Sequence, residues 1–121
     1  MGKVLHKGMV TGQIVGGTIM GVGAALMEHL YPYYPKLDWG TRSLGEYILP
    51  TAVDIPVIDV EILECPSVDN VYRVKGIGEM TANVPSPAIV NAIYDAIGVW
   101  FNEIPVTAER VLRALEMKGG I

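Results

Sequence analysis

The run Thr11-Gly-Gln-Ile-Val-Gly-Gly-Thr-Ile-Met-Gly-Val-Gly-Ala-Ala-Leu-Met-Glu-His-Leu30 decides how the rest of the chain is arranged. At about 100° per residue, Val15, Ile19, Val22 and Leu26 fall on one stripe, the pattern of a core-facing helix. Gln13, Gly17, Met20 and Ala24 form a second stripe with one polar head and little bulk. Gly12, Gly16, Gly17, Gly21 and Gly23 would each cost roughly 1 kcal/mol relative to alanine in a helix interior. Close approach of another backbone or of a ligand is the natural compensation. A transmembrane span competes with this reading, because the run is nearly long enough and Gly12/Gly16 and Gly17/Gly21 have small-xxx-small spacing. Gln13 within the run, with Glu28 and His29 at its end, favours a buried helix in a soluble protein. The glycines never form G-x-G-x-x-G, so a dinucleotide site is set aside.

Outward from this helix, composition narrows the class. The chain has 121 residues, enough for one modest core, and is expected to be a single domain over 1–121 or a piece of something larger. Half of the residues are hydrophobic and only 18% are charged, which favours burial against other protein. A net charge of −4 and a pI near 5.0 argue against nucleic acid and against anionic membrane surfaces as partners. The single cysteine, Cys65, can make no internal disulfide, and the first residues do not read as a secretory signal, so a cytoplasmic location is expected. Cys65, His6 and His29 do not form a local ligand set, so no protein-held metal is expected.

Residues 1–10 read as an entering strand or arm, and Tyr31-Pro-Tyr-Tyr-Pro35 as the stop of the long helix. After a polar connection from Lys36 to Ser43, Leu44–Leu49 and Val57–Leu63 read as strands, the second with Asp59 and Glu61 on its solvated face. Asp54, between Pro50 and Pro56, reads as a turn residue. Val71–Val74 is a short extended piece and Val99–Phe101 a brief strand. Ser86 reads as N-cap of a helix with Pro87 at its first position and Gly98 just past its end. Thr107 reads as N-cap of a last helix over Ala108–Met117. The expected fold class is therefore α+β: a long Gly-rich buried helix, a small mixed sheet and two C-terminal helices.

Lys75-Gly-Ile-Gly-Glu-Met80 is the stretch most suited to chemistry. Gly76 and Gly78 leave no Cβ in the way of an approaching molecule, Ile77 pins the bend, and Glu79 stands at its tip. A plain surface turn with a solvated Glu79 is the competing reading.

Taken together, Gly12-Gln13-Ile14-Val15-Gly16-Gly17 with Gly21-Val22-Gly23, Tyr47-Ile-Leu-Pro-Thr-Ala-Val-Asp-Ile-Pro56, Lys75-Gly-Ile-Gly-Glu79, Asn91-Ala-Ile-Tyr-Asp-Ala96 and Pro105-Val-Thr-Ala-Glu-Arg-Val111 resemble the C-terminal part of the molybdopterin-binding large subunit of the xanthine dehydrogenase and aldehyde oxidase family, the molybdenum hydroxylases. The resemblance runs from about Val4 to Leu115. It implies that Glu79 is the active-site base in oxidative hydroxylation of an aldehyde or N-heterocycle. It implies that Gln13, at the start of the long helix, contacts the molybdopterin, with the Gly76, Ile77 and Gly78 loop packed beside the metal. It also implies partners: the remainder of the molybdenum-binding subunit, with iron–sulfur and flavin groups on other domains or subunits. Met20 stands where many members carry a second glutamine, which removes one polar contact. On this reading the isolated chain is inactive and self-associates into a homo-oligomer. The alternative is a non-catalytic remnant or assembly module of the same fold that binds no cofactor.

Overall fold

A computed structural model describes residues 1–29 and 43–119. The elements among them are all helical: α1 (Lys7–Leu26), α2 (Met80–Asn83), α3 (Pro85–Ile97) and α4 (Ala108–Met117). α1 starts earlier than its periodicity suggests because His6 caps it, its Nδ1 accepting from the Met9 amide at 3.1 Å. The entering arm is therefore cut to the first few residues. The proposed stop at Tyr31–Pro35 and the connection from Lys36 lie outside the described residues; α1 itself ends earlier, at Leu26.

The seam that holds the fold is made of small residues. α1 buries Gly17, Gly21, Gly23 and Ala25, whereas Val15, Ile19, Val22 and Leu26 are only half-buried. One helical turn after another, α1 meets a segment running alongside it in the same direction. The Gln13 amide reaches the Gly78 carbonyl, Gly17 lies on Thr81, and Gly21 lies on Pro85 and the Ala82 carbonyl. A Cβ at Gly21 would stand 2.7 Å from Pro85 Cβ, so only glycine lets the two backbones come this close. The Ser86 hydroxyl secures the approach by donating to the Gly21 carbonyl at 2.9 Å. At the far end, the Val106 amide donates to the Ala25 carbonyl at 2.6 Å, and Ala25 and Val106 are the buried hydrophobic core.

Ser86 is thus not an N-cap. α2 runs straight into α3 with Val84 in helical geometry, Pro85 at the first position and no side-chain cap, which frees the Ser86 hydroxyl for α1. The other two end signals hold. Gly98 closes α3 in the left-handed conformation (φ 65°), and Thr107 caps α4 by accepting from the Arg110 amide. Beyond the Gly98 turn, Trp100 stacks on Tyr94 with ring centroids 4.0 Å apart, and Lys118 Nζ donates to the Ile97 carbonyl at 2.6 Å.

The expected mixed sheet is absent among the described residues, and the fold class is corrected from α+β to helical. Residues 1–10, Leu44–Leu49, Val57–Leu63, Val71–Val74 and Val99–Phe101 form no strand. The physical reason is partnership: a strand cannot satisfy its own backbone groups and needs a ladder beside it. Met1, Lys3, Cys65 and Arg73 do exchange isolated main-chain hydrogen bonds, Lys3 N to Arg73 O at 2.9 Å among them, yet these never extend into a ladder. Leu44, Val57 and Val71 are each more than nine-tenths exposed, so their alternation has nothing to pack on. The whole chain exposes 9107 Å², against roughly 6,400 Å² expected of a compact monomer of its mass.

Candidate functional site

Two chain segments far apart in sequence meet at one corner of α1. Gln13 Nε2 donates to the Gly78 carbonyl at 3.5 Å, and the Thr81 hydroxyl donates to that same carbonyl at 3.1 Å. Both lone pairs of one peptide oxygen are engaged, and that peptide unit is the one leading directly into Glu79. Glu79 itself is exposed, takes helical geometry and opens α2, with its own carbonyl accepting from the Ala82 and Asn83 amides. Its carboxylate makes no capping hydrogen bond.

The loop is braced from its other side as well. Gly2 is buried so tightly on Val74 and Lys75 that a Cβ there would lie 2.6 Å from the Val74 carbonyl carbon. Asn70 clamps the same strand of backbone, its side chain accepting from the Val74 amide at 3.0 Å and donating to the Val74 carbonyl at 2.9 Å. Arg73 takes a left-handed conformation (φ 58°) within that clamp. A non-glycine residue held there is over-determined by its surroundings, and strain of this kind clusters at functional loops.

Of the residues singled out in the sequence, Gln13, Gly78 and Glu79 come together; Gly76 and Gly78 lie exposed and Ile77 half-buried beside them. Gln13 is not at the start of its helix. With α1 beginning at Lys7, it stands in the second turn, where backbone amides are already used within the helix. What it offers a ligand is its side-chain carbonyl oxygen. A Cβ at Gly12, Gly16, Gly76 or Gly78 would meet nothing within 4 Å, so both α1 and the loop present open main chain on this side. An uncharged amide with bare backbone on either side suits the polar edge of a pterin, and these residues fit that group. Met20 is 65% exposed and contributes no polar atom to it. Thr81 escaped sequence reasoning, because nothing local marks a threonine that works against a glycine on another helix. A separate groove of about 310 Å³, lined by Ser86, Val90, Asn91, Phe101 and Glu103 among others, shares no residue with this corner.

Comparisons with known proteins place the chain in a family. Residues 1–56 match the molybdopterin cofactor-binding domain. A probable xanthine dehydrogenase polypeptide of Bacillus subtilis is 33% identical over 118 residues, 98% of this chain and 16% of that protein. The aldehyde oxidoreductase molybdenum-binding subunit PaoC of Escherichia coli is 31% identical over 115 residues, 94% of this chain and 16% of that protein. Among solved structures, quinoline 2-oxidoreductase from Pseudomonas putida 86 superposes with a TM-score of 0.83 at 31% identity, over 95% of this chain and 15% of that one. The family match and the shared fold define a segment of a molybdenum hydroxylase, with a molybdopterin-binding domain match over residues 1–56. The chain belongs to the xanthine dehydrogenase and aldehyde oxidoreductase family, whose members here are molybdenum-dependent oxidoreductases, and it spans only about a sixth of the length of these relatives.

Proposed function

We propose that this chain completes the active site of a molybdenum hydroxylase, supplying Glu79 as the general base for oxidative hydroxylation of an aldehyde or an N-heterocycle. The observation that carries the reading is the meeting of Gln13 with the Gly78–Glu79 loop across 65 residues of sequence, which brings the two motif residues to one corner. Bound molybdopterin supplies the redox-active metal centre of the reaction. Gln13 would hold the polar edge of the pterin through its side-chain oxygen. Gly76 and Gly78 keep the approach to the loop open, with half-buried Ile77 between them. The Glu79 carboxylate accepts the proton released as the substrate carbon is hydroxylated, a role that needs an ionised, reachable acid held in fixed geometry.

The large accessible surface supports a partner that covers much of this chain. That partner is the remainder of the molybdenum-binding subunit, with iron–sulfur and flavin centres on further domains or subunits and the assembly in the cytoplasm. The substrate class accords with relatives named for nicotine and for aldehydes. Exposed Met20, apolar on the face that Gln13 shares, favours a second reading as a non-catalytic assembly module. Glu79→Gln separates the two. In the assembled, molybdenum-loaded enzyme it keeps size and hydrogen bonding but cannot take the proton, and turnover should fall roughly 10²- to 10⁴-fold with metal content unchanged. Turnover near the parent rate overturns the base assignment.

A further inference from the structure

We propose that Thr81 is a positioning residue for Glu79: wedged against the bare backbone of Gly17, its hydroxyl locks the Gly78–Glu79 peptide and so sets the direction of the Glu79 carboxylate. This rests on the assignment of Glu79 as base.

Three observations converge on it. First, the Thr81 hydroxyl donates to the Gly78 carbonyl at 3.1 Å, bridging back over the residue that carries the acid. Rotating that peptide plane would swing Glu79, since the plane contains the Glu79 nitrogen. Second, the side chain is packed against α1. A methyl group built at Gly17 would lie 2.6 Å from Thr81 Cβ and 2.9 Å from its carbonyl carbon, so α1 bears directly on this residue and on its main chain. Third, the N-terminal end of α2 has no side-chain cap, so on the side away from α3 the turn at Glu79 is held by what it is seated against. β-Branching suits the role, because Thr has few χ1 choices and the hydroxyl is delivered in one direction. Gln13 shares the same acceptor from the α1 side at 3.5 Å, so the peptide is held from both flanks.

The consequence is a division of labour. The role assigned to Thr81 is through the Gly78 carbonyl and not on the reacting atoms, so its loss should misdirect the acid without removing it. A misplacement of about 1 Å remote from the reacting atoms can cost up to ~10²-fold in rate.

The test compares Thr81→Val, Thr81→Ser and Glu79→Gln in two settings. In the full chain, amide exchange at Ala82 and Asn83, both bonded to the Glu79 carbonyl, reports the turn directly. Thr81→Val should speed exchange there several-fold while α3 amides keep the parent rate, and Thr81→Ser should restore protection. In the assembled enzyme, Thr81→Val should lower kcat about tenfold at unchanged KM and molybdenum content, with Thr81→Ser near parent. If Glu79→Gln abolishes turnover but Thr81→Val leaves kcat as it was, the positioning role is overturned and the base assignment stands. If Thr81→Val and Thr81→Ser lose kcat equally, the hydroxyl is not the agent and the inference fails. If Glu79→Gln turns over normally, the base assignment fails and this inference falls with it.

Discussion

Gly16 and Gly17 are neighbours in α1, yet a methyl group added at Gly17 would collide with Thr81 while one added at Gly16 would meet nothing within 4 Å. The same division runs along the helix. Gly17, Gly21 and Gly23 are buried on Thr81, Pro85 and Pro50, whereas Gly12 and Gly16 stand open beside exposed Met9 and Met20. One set of glycines is explained by contacts inside this chain. The other has the same intrinsic helix penalty of about 1 kcal/mol each and no internal compensation, which places its reason in whatever else comes to this face.

The sharpest way to break the comparison is Gly17→Ala. Its added methyl cannot be absorbed by a flexible tip, since it meets Thr81 backbone as well as side chain. The expected loss lies at the upper end of the ~1–3 kcal/mol typical of overpacking. That exceeds the ~1 kcal/mol of helix propensity gained. A thermal melt should show a clearly lower midpoint; an unchanged one would mean that α2 does not seat on α1. The open face makes the next prediction. With Leu44, Val57 and Val71 exposed as well, the purified chain should scatter light with the mass of a dimer or larger, and a clean monomer would count against a surface built for covering. Gly16→Ala sharpens the contrast by reversing its sign, because with no clash it should raise the stability of the chain by about 1 kcal/mol.

The smallest effect belongs to a turn far from the seam. The Thr51 hydroxyl and amide both donate to Asp54 Oδ2, at 2.7 and 2.8 Å, and hold its carboxyl below the usual carboxylate range. A carboxylate depressed on folding stabilises the fold above its unfolded value and loses that contribution as pH falls through the lower, folded value. The Thr51 amide resonance should therefore shift with a midpoint below that of an ordinary aspartate; a midpoint at the ordinary value would show that the turn does not persist in water.

Legibility in the sequence followed the range of the physics. Thr107 and Gly98 were readable because a cap is decided within a few residues, and both sit where their chemistry puts them. The valine and isoleucine alternation of Val57–Leu63 misled, since a strand is decided by its neighbour and none of the described residues supplies one. The periodicity of α1 announces a helix but points to the wrong seam, because a periodic pattern marks burial by bulk while the close contacts are made where bulk is missing. Ser86 looked like a cap until α2 filled the space where an extended N-cap would stand. At the candidate site, Gln13 and the Gly78–Glu79 loop are singled out by the family motifs, and the structure brings them together. The contact of Thr81 is not legible, because its partner Gly17 is distant in the chain and carries no side chain to advertise it.

The bond from the Val106 amide to the Ala25 carbonyl has a consequence in time. Pro50 follows its contact Gly23 closely in the chain, whereas Gly78 and Ser86 each come 65 positions after their partners on α1, and Val106 is more distant still from Ala25. At ribosomal rates of about 5–20 residues per second, Gly17 and Gly21 wait on the order of several seconds for the segment that covers them. Through that interval a helix long and apolar enough to cross a bilayer, by length and composition, lacks the residues that pack on Gly17 and Gly21. Nascent-chain handling of this segment is accordingly as much a part of how the protein comes to exist as the contacts that finally enclose it.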